Sequence, residues 1–196
     1  MSSDMIRGWQ AALAGVLRVF GLFGVAKRLD GGLGGIAPNA ADERKFVLRI
    51  VQPGLAGLMD GSVSTLAPIF TVAFLTDKPF AAFLVGLATA TGAGISMAFA
   101  EGLSDDGSLT GRGNPILRGA VTGVMTFIGG ALHTLPFLIP DIHSALAAAY
   151  VVVAIELVVI AAIRHRFFGV NWGLSTLQVV GGGALVFLAA LLFGHA

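Results

Sequence analysis

The chain has 196 residues and a net charge of +1, with 56% hydrophobic residues, 12% charged residues and a mean hydropathy of +0.87. Soluble domains carry about 25% charged residues, so this composition excludes an ordinary soluble domain, and nothing in it reads as a nucleic-acid surface. The absence of cysteine also excludes disulfides, thiolate metal sites and thiol redox chemistry.

The fold class read from the pattern is all-α: a polytopic membrane protein with five transmembrane helices and an N-terminal amphipathic interfacial helix. In residues 5–28, Met5, Trp9, Leu13, Leu17 and Phe20 recur at helical spacing, with Arg7, Arg18 and Arg28 opposite. An apolar face with Trp and Phe, backed by basic residues, suits a helix lying in the membrane interface. Arg18, in the middle of the apolar run, argues against a cleavable signal peptide. The expected organisation is an interfacial helix over 1–30, a Gly- and Pro-containing linker over 31–44, and a transport domain over 45–196. Within this scheme Ala41–Ile50 restarts as a polar helical lead-in to the first span.

Five apolar segments follow, at about 50–76, 79–103, 115–139, 142–163 and 172–194. Each meets the length of about 20 residues that a helical span needs. Glycine is dense in the second and third, as close helix packing in lipid requires. If five spans alternate, eleven of the twelve Lys and Arg residues fall on one side and only Lys78 on the other. The positive-inside rule then predicts a cytoplasmic N-terminus, cytoplasmic loops at 104–114 and 164–171, and a C-terminus outside.

Carboxylates inside the spans are the candidates for function. Asp60 stands in the first span with no Lys or Arg within ten residues on either side. A charge at membrane depth costs about 2.5–3.5 kcal/mol or more, so it faces a partner, a cavity or an ion. Met97, Glu101 and Asp105 are spaced i, i+4, i+8, which predicts a stripe of thioether and carboxylates on one face of the second helix. Such a stripe suits a path for a divalent cation: carboxylate oxygens take hard or borderline ions, and a thioether favours transition metals. Core packing is the alternative for Met97, and a solvated loop the alternative for Asp105 and Asp106. Glu156, midway in the fourth span, is a candidate proton site or else a structural hydrogen-bonding group. His133 is its possible partner, a relay, or a satisfied polar residue. No nucleophile and base are paired in any span, so no enzyme is expected.

Asp60-Gly61-Ser62-Val63-Ser64-Thr65 resembles the D-G-x-x-[ST]-[ST] opening of the vacuolar iron transporter family, and Ser96-Met97 with Glu101 resembles its S-M-x-x-x-E. Asn114-Pro115, Gly129-Gly130 and Pro136 are also similar. The resemblance covers about residues 45–195 and is nearest to the membrane half of bacterial membrane-bound ferritin-like iron exporters. It implies a homodimer in a bacterial inner membrane that exports Fe²⁺, with Mn²⁺ as a further substrate, from the cytoplasm by proton antiport. Asp60 and Met97 would then line the path with Glu101 and Asp105 as further metal ligands, Glu156 and His133 would be proton-coupling candidates, and no resident cofactor is expected. The chain departs from the family's pattern between spans two and three, where a long glutamate-rich helical domain is reduced to about Leu103–Asn114. The amphipathic segment stands where a ferritin-like domain would precede the spans. An alternative is a membrane assembly or regulatory subunit that docks a partner through the amphipathic helix.

Overall fold

Helix begins ahead of the first apolar run, at α1 (Ala40–Phe46), with Asp42 and Glu43 in its first turn and Arg44 and Lys45 in its last, as the helix dipole favours. The computed structural model describes residues 40–108 and 110–194. The expected interfacial helix over 1–30, the linker residues 31–39 and His195 lie outside them. Residues 40–44, assigned to the linker by composition, are part of α1.

Two prolines segment the first span. Pro53 has no N–H for the carbonyl of Arg49, four residues back, and the chain answers with a π-helical turn, Val47–Val51, closed by the Gln52 N–H on the Val47 carbonyl. Helix α2 (Gln52–Ser64) follows. Pro68 likewise cannot serve the carbonyl of Ser64, and the helix breaks at Thr65 (φ −89°, ψ −15°) before resuming as α3 (Leu66–Thr76). Asp77 stops α3 in the left-handed conformation (φ 50°). Helix α4 (Pro79–Gly102) is the second span.

The third span, α5 (Pro115–Leu132), starts on an Asn114 cap whose side chain accepts from the Ile116 and Leu117 N–H groups. It is shorter than the 115–139 expected, because Pro136 removes the donor that the Leu132 carbonyl would need. The chain continues as a 3₁₀ turn over Leu135–Leu138. Helix α6 (Ile142–Phe168) is capped by Asp141 and runs past the expected end at 163 to Gly169 at φ 64°. Arg164, His165 and Arg166 are compatible with helix; glycine, able to take the left-handed conformation, is the stop signal. Helix α7 (Trp172–Gly194) is the fifth span. Five helical segments are therefore long and apolar enough to cross a membrane, and no strand occurs among the described residues.

Helix α5 is the centre of the packing, with α2 on one side and α4 on the other. A Cβ at Gly57 would overlap the Thr122 carbonyl and one at Gly61 the Thr126 carbonyl, so backbone meets backbone. Across the other contact, a Cβ at Gly123 would sit 2.6 Å from the Gly94 carbonyl and one at Gly119 2.6 Å from that of Ala98. Small residues permit this approach where lipid offers no hydrophobic force between helices. The pairs Gly57–Thr122, Gly61–Thr126 and Thr65–Gly130 make α2 parallel to α5; Ala90–Gly130 and Ala98–Gly119 make α4 antiparallel to it.

The apolar interior has two clusters. One gathers Val51, Leu55, Leu58, Met125, Ile160, Ile163 and Val179. The other gathers Leu66, Ile69, Phe70, Ala73, Phe137, Ala145, Ala149 and Ala190, with Phe70 stacked on Tyr150 at 5.4 Å and edge-on to Phe187 at 5.3 Å. Among the buried polar residues, Thr65, His133 and Glu156 fall between the members of the two clusters along their own segments.

Candidate functional site

The helix register fixes the depth of each candidate. Met97 adjoins Ala98, which packs on Gly119; Asp60 adjoins Gly61, which packs on Thr126. Met97 thus lies between one and two turns nearer than Asp60 to the end of the bundle that carries Arg112 and Arg118, the Arg-rich end. Beyond Met97 comes Glu101, and on the other side of Asp60 comes Thr65. The candidates therefore form a sequence in depth.

Asp60 is half-buried on the outward stripe of α2, in line with exposed Ala56 and Ser64. It makes no hydrogen bond or ion pair with any described residue, whereas Ser62 two residues on is buried with its hydroxyl unpartnered. Met97 is half-buried on α4, on the face that Ala90 and Gly94 present to α5.

The predicted stripe of Met97, Glu101 and Asp105 stops short of its last member. Helix α4 ends at Gly102, and Asp105 sits in the following loop, because Ser104-Asp105-Asp106-Gly107 is a sequence of turn formers. The loop folds back so that Asp105 still approaches Glu101, with arginines between them. The Arg118 Nε donates to Glu101 Oε1 at 2.8 Å, its Nη1 to Asp105 Oδ1 and the Gly113 carbonyl, and its Nη2 to the Asp105 carbonyl, with Asp105 Oδ2 at 3.4 Å. Four hydrogen bonds and one further ion-pair contact hold this fully buried guanidinium. Arg112 adds 2.6 Å and 3.1 Å contacts to Glu101 Oε1 and Asp105 Oδ2. Burial alone would push the Asp105 carboxyl up, but the Gly107 N–H, the Thr110 hydroxyl and both arginines outweigh it and hold it below the usual range. Glu101 and Asp105 are thus members of an ion-pair cluster. Arg49 packs its side chain against Gly113 beside it.

Glu156 and His133 are brought together in the layer between the apolar clusters. His133 Nδ1 lies 2.9 Å from Glu156 Oε2, and His133 Nε2 lies 2.7 Å from Thr65 Oγ1. The Thr65 hydroxyl is also 2.8 Å from the Gly61 carbonyl. His133 and Thr65 are fully buried, Glu156 is 6% exposed, and Glu156 Oε1 has no partner among the described residues. No group of three or more His, Asp and Glu suited to a metal occurs among the described residues. A metal held by this chain alone would meet isolated donors rather than a ready cage.

Sequence reasoning missed two participants. Thr65 carries a hydroxyl at the break that Pro68 predicts, and Arg118 is a charge three residues inside a span, so both signals were present. The break required the structure to show what Thr65 faces.

Fold and site together define a multi-pass helical membrane protein with ionisable groups set along its interior. A family model described as the VIT family matches residues 102–195, just under half of the chain, and this match supports the vacuolar iron transporter family and, with it, membrane metal-ion transport. The match includes Asp105, Arg118, His133 and Glu156 and ends short of Glu101, Met97 and Asp60. No curated protein and no solved structure matches the chain.

Proposed function

We propose that the chain exports a divalent transition metal, Fe²⁺ first and Mn²⁺ as a second substrate, from the cytoplasm in exchange for protons. The observation that carries this reading is Asp60: a carboxylate at mid-span with no hydrogen-bonding or ionic partner among the described residues. An anion left so at membrane depth is costly unless a cation compensates it. Met97, nearer the Arg-rich end, supplies a soft sulfur that favours transition metals over Mg²⁺ or Ca²⁺.

The Arg-rich end is the cytoplasmic side in this reading, and the membrane is a bacterial inner membrane. Metal arrives at Glu101 and Asp105 once Arg112, the more exposed arginine, moves aside; Arg118 stays. The working unit is a homodimer. Ala88, Gly92, Ser96 and Ala100 recur at every fourth position on exposed surface of α4, and nothing lies within 4 Å of where a Cβ at Gly92 would be. Such small-residue stripes suit helix association in lipid, and the outward position of Asp60 on α2 suits a path completed by a second copy.

The test is metal flux into proteoliposomes holding the purified chain alone. Wild type is expected to move Fe²⁺ against a pH gradient, and Asp60→Asn, which keeps shape and loses charge, to insert normally and lose nearly all flux. Wild-type flux in Asp60→Asn would refute the role of Asp60, and no metal movement by wild type would refute transport by this chain.

A further inference from the structure

The hydrogen-bonded chain Gly61–Thr65–His133–Glu156 has a property that follows from counting protons. Three contacts of 2.8, 2.7 and 2.9 Å link four groups, and the hydroxyl of Thr65 has a single proton for two of them. In one arrangement the hydroxyl donates to the Gly61 carbonyl. The Thr65 oxygen then accepts from His133 Nε2–H, and a further proton lies between Nδ1 and Glu156 Oε2. In the other, that further proton has left. The imidazole proton sits on Nδ1 and is donated to the Glu156 carboxylate, Nε2 has become an acceptor, and the Thr65 hydroxyl must turn from Gly61 to serve it. The two arrangements differ by one proton in total, and Thr65 changes its acceptor between them.

We infer that Thr65 is a two-position hydrogen-bond switch, which converts gain or loss of one proton at the His133–Glu156 pair into capture or release, respectively, of the Gly61 carbonyl beside Asp60. The inference deepens the proton-coupled reading above and rests on it for its role in transport.

Four observations support a switch rather than a fixed polar contact. Thr65 stands at the break between α2 and α3, where Pro68 has already deprived the Ser64 carbonyl of a helical donor, so the backbone there lacks one of its helical hydrogen bonds. With its hydroxyl proton turned to His133 Nε2, the Thr65 oxygen would face the Gly61 carbonyl at 2.8 Å as two acceptors, which forces local movement. Gly61 is bonded to Asp60, so that movement reaches the proposed metal ligand directly. Glu156 Oε1 is buried with no partner among the described residues, so one oxygen of the pair is not fixed by any other hydrogen bond.

The surroundings contain little else that titrates. Helices α3 and α7 and the 3₁₀ turn have no Asp, Glu, Lys, Arg or His, and α4 has none before Glu101. The only such groups on α5 and its preceding cap are Arg118 and, at the end, His133 itself. Helix α2 offers Asp60 alone, and α6 offers His143, Arg164, His165 and Arg166 near its ends, with Tyr150 exposed. The pair and, on the outward stripe of α2, Asp60 are therefore the titratable groups that these elements place nearest to Thr65 in sequence and register.

Thr65 also has a packing role, since its methyl group would sit 2.8 Å from a Cβ at Gly130. The two roles separate cleanly. Thr65→Val keeps the methyl contacts and loses the hydroxyl; Thr65→Ser keeps the hydroxyl and loses the methyl. With the purified full chain in proteoliposomes, Fe²⁺ flux and proton movement are measured together across a range of imposed pH gradients. The switch predicts that Thr65→Ser retains coupled movement, while Thr65→Val loses about five- to tenfold in gradient-driven flux, the worth of about one hydrogen bond. The reverse order would reduce Thr65 to packing and overturn the inference.

A second measurement needs no transport. In metal-free, lipid-embedded wild type with ¹⁵N-labelled histidine, the resonances of His133, assigned by their loss in His133→Asn, are followed as pH rises. The switch requires Nε2 to lose its proton while Nδ1 keeps one. An Nε2 that stays protonated at every pH overturns the switch whether or not the chain moves metal. A migrating proton in a chain that moves no metal would preserve the switch and refute the export reading instead.

Discussion

Met97 is the residue at which packing and ligation predict different outcomes. Met97→Leu conserves volume and apolarity, and such swaps usually cost under about 1.5 kcal/mol. Its sulfur, if it meets the metal, favours Fe²⁺ and Co²⁺ over Mn²⁺, which relies more on oxygen. We expect partial loss of Fe²⁺ and Co²⁺ flux with Mn²⁺ flux nearly kept, measured by competition in proteoliposomes. An unchanged ion profile at normal expression would return Met97 to packing. Asp105 gives a prediction in pH. Its carboxyl is held below the usual range by the surrounding donors. The stabilisation is therefore fully present above the unfolded carboxyl's pKa of about 3.9 and is lost as pH falls through the lower folded value. The gap in thermal midpoint between wild type and Asp105→Asn should be open at neutral pH and close under strong acid. A gap that does not depend on pH would exclude the carboxylate as its source.

At the scale of elements, hydropathy and cap residues made the spans legible: Asn114, Asp141, Pro79 and the glycine at 169 all stand at helix ends. What hydropathy could not supply was where an apolar run ceases to be helix. Leu135–Leu138 is as apolar as α5, yet Pro136 takes it out of the α-helix. At the site, the pairing of His133 with Glu156 was among the readings open in the sequence, because few polar groups reach that depth. The stripe through Asp105 misled because spacing was extended past a helix end, and Arg118 was read only as a marker of orientation. A buried Arg is recognisable only when its carboxylates are located. The glycines of α2 lead to a further expectation. Gly61→Ala drives a Cβ into the Thr126 carbonyl, and overpacking costs about 1–3 kcal/mol or more, so its thermal midpoint should fall. Gly182→Ala, with nothing within 4 Å, should leave the midpoint in place. Equal stability of the two variants would show that α2 and α5 are not in backbone contact.

The whole molecule combines a tight region and looser ones. Helix α5 is held against backbone on both sides, whereas α6 and α7 meet their neighbours mainly through side chains. Hydrogen exchange in lipid should find α5 amides the slowest and insensitive to added Mn²⁺, with any metal-dependent change falling around Thr65 and in α3. Change concentrated in α5 would contradict this distribution. The two apolar clusters, with the polar layer between them, have a mechanical consequence. The first span is interrupted at that layer, the third ends within it, and the second, fourth and fifth pass through unbroken. Under load, such an assembly is compliant in one plane and stiff on either side of it. The outer slab can slide or tilt over the inner one by flexing three continuous rods, with neither slab needing to repack, and the Thr65–His133–Glu156 bonds lie in the plane where that slippage is resisted.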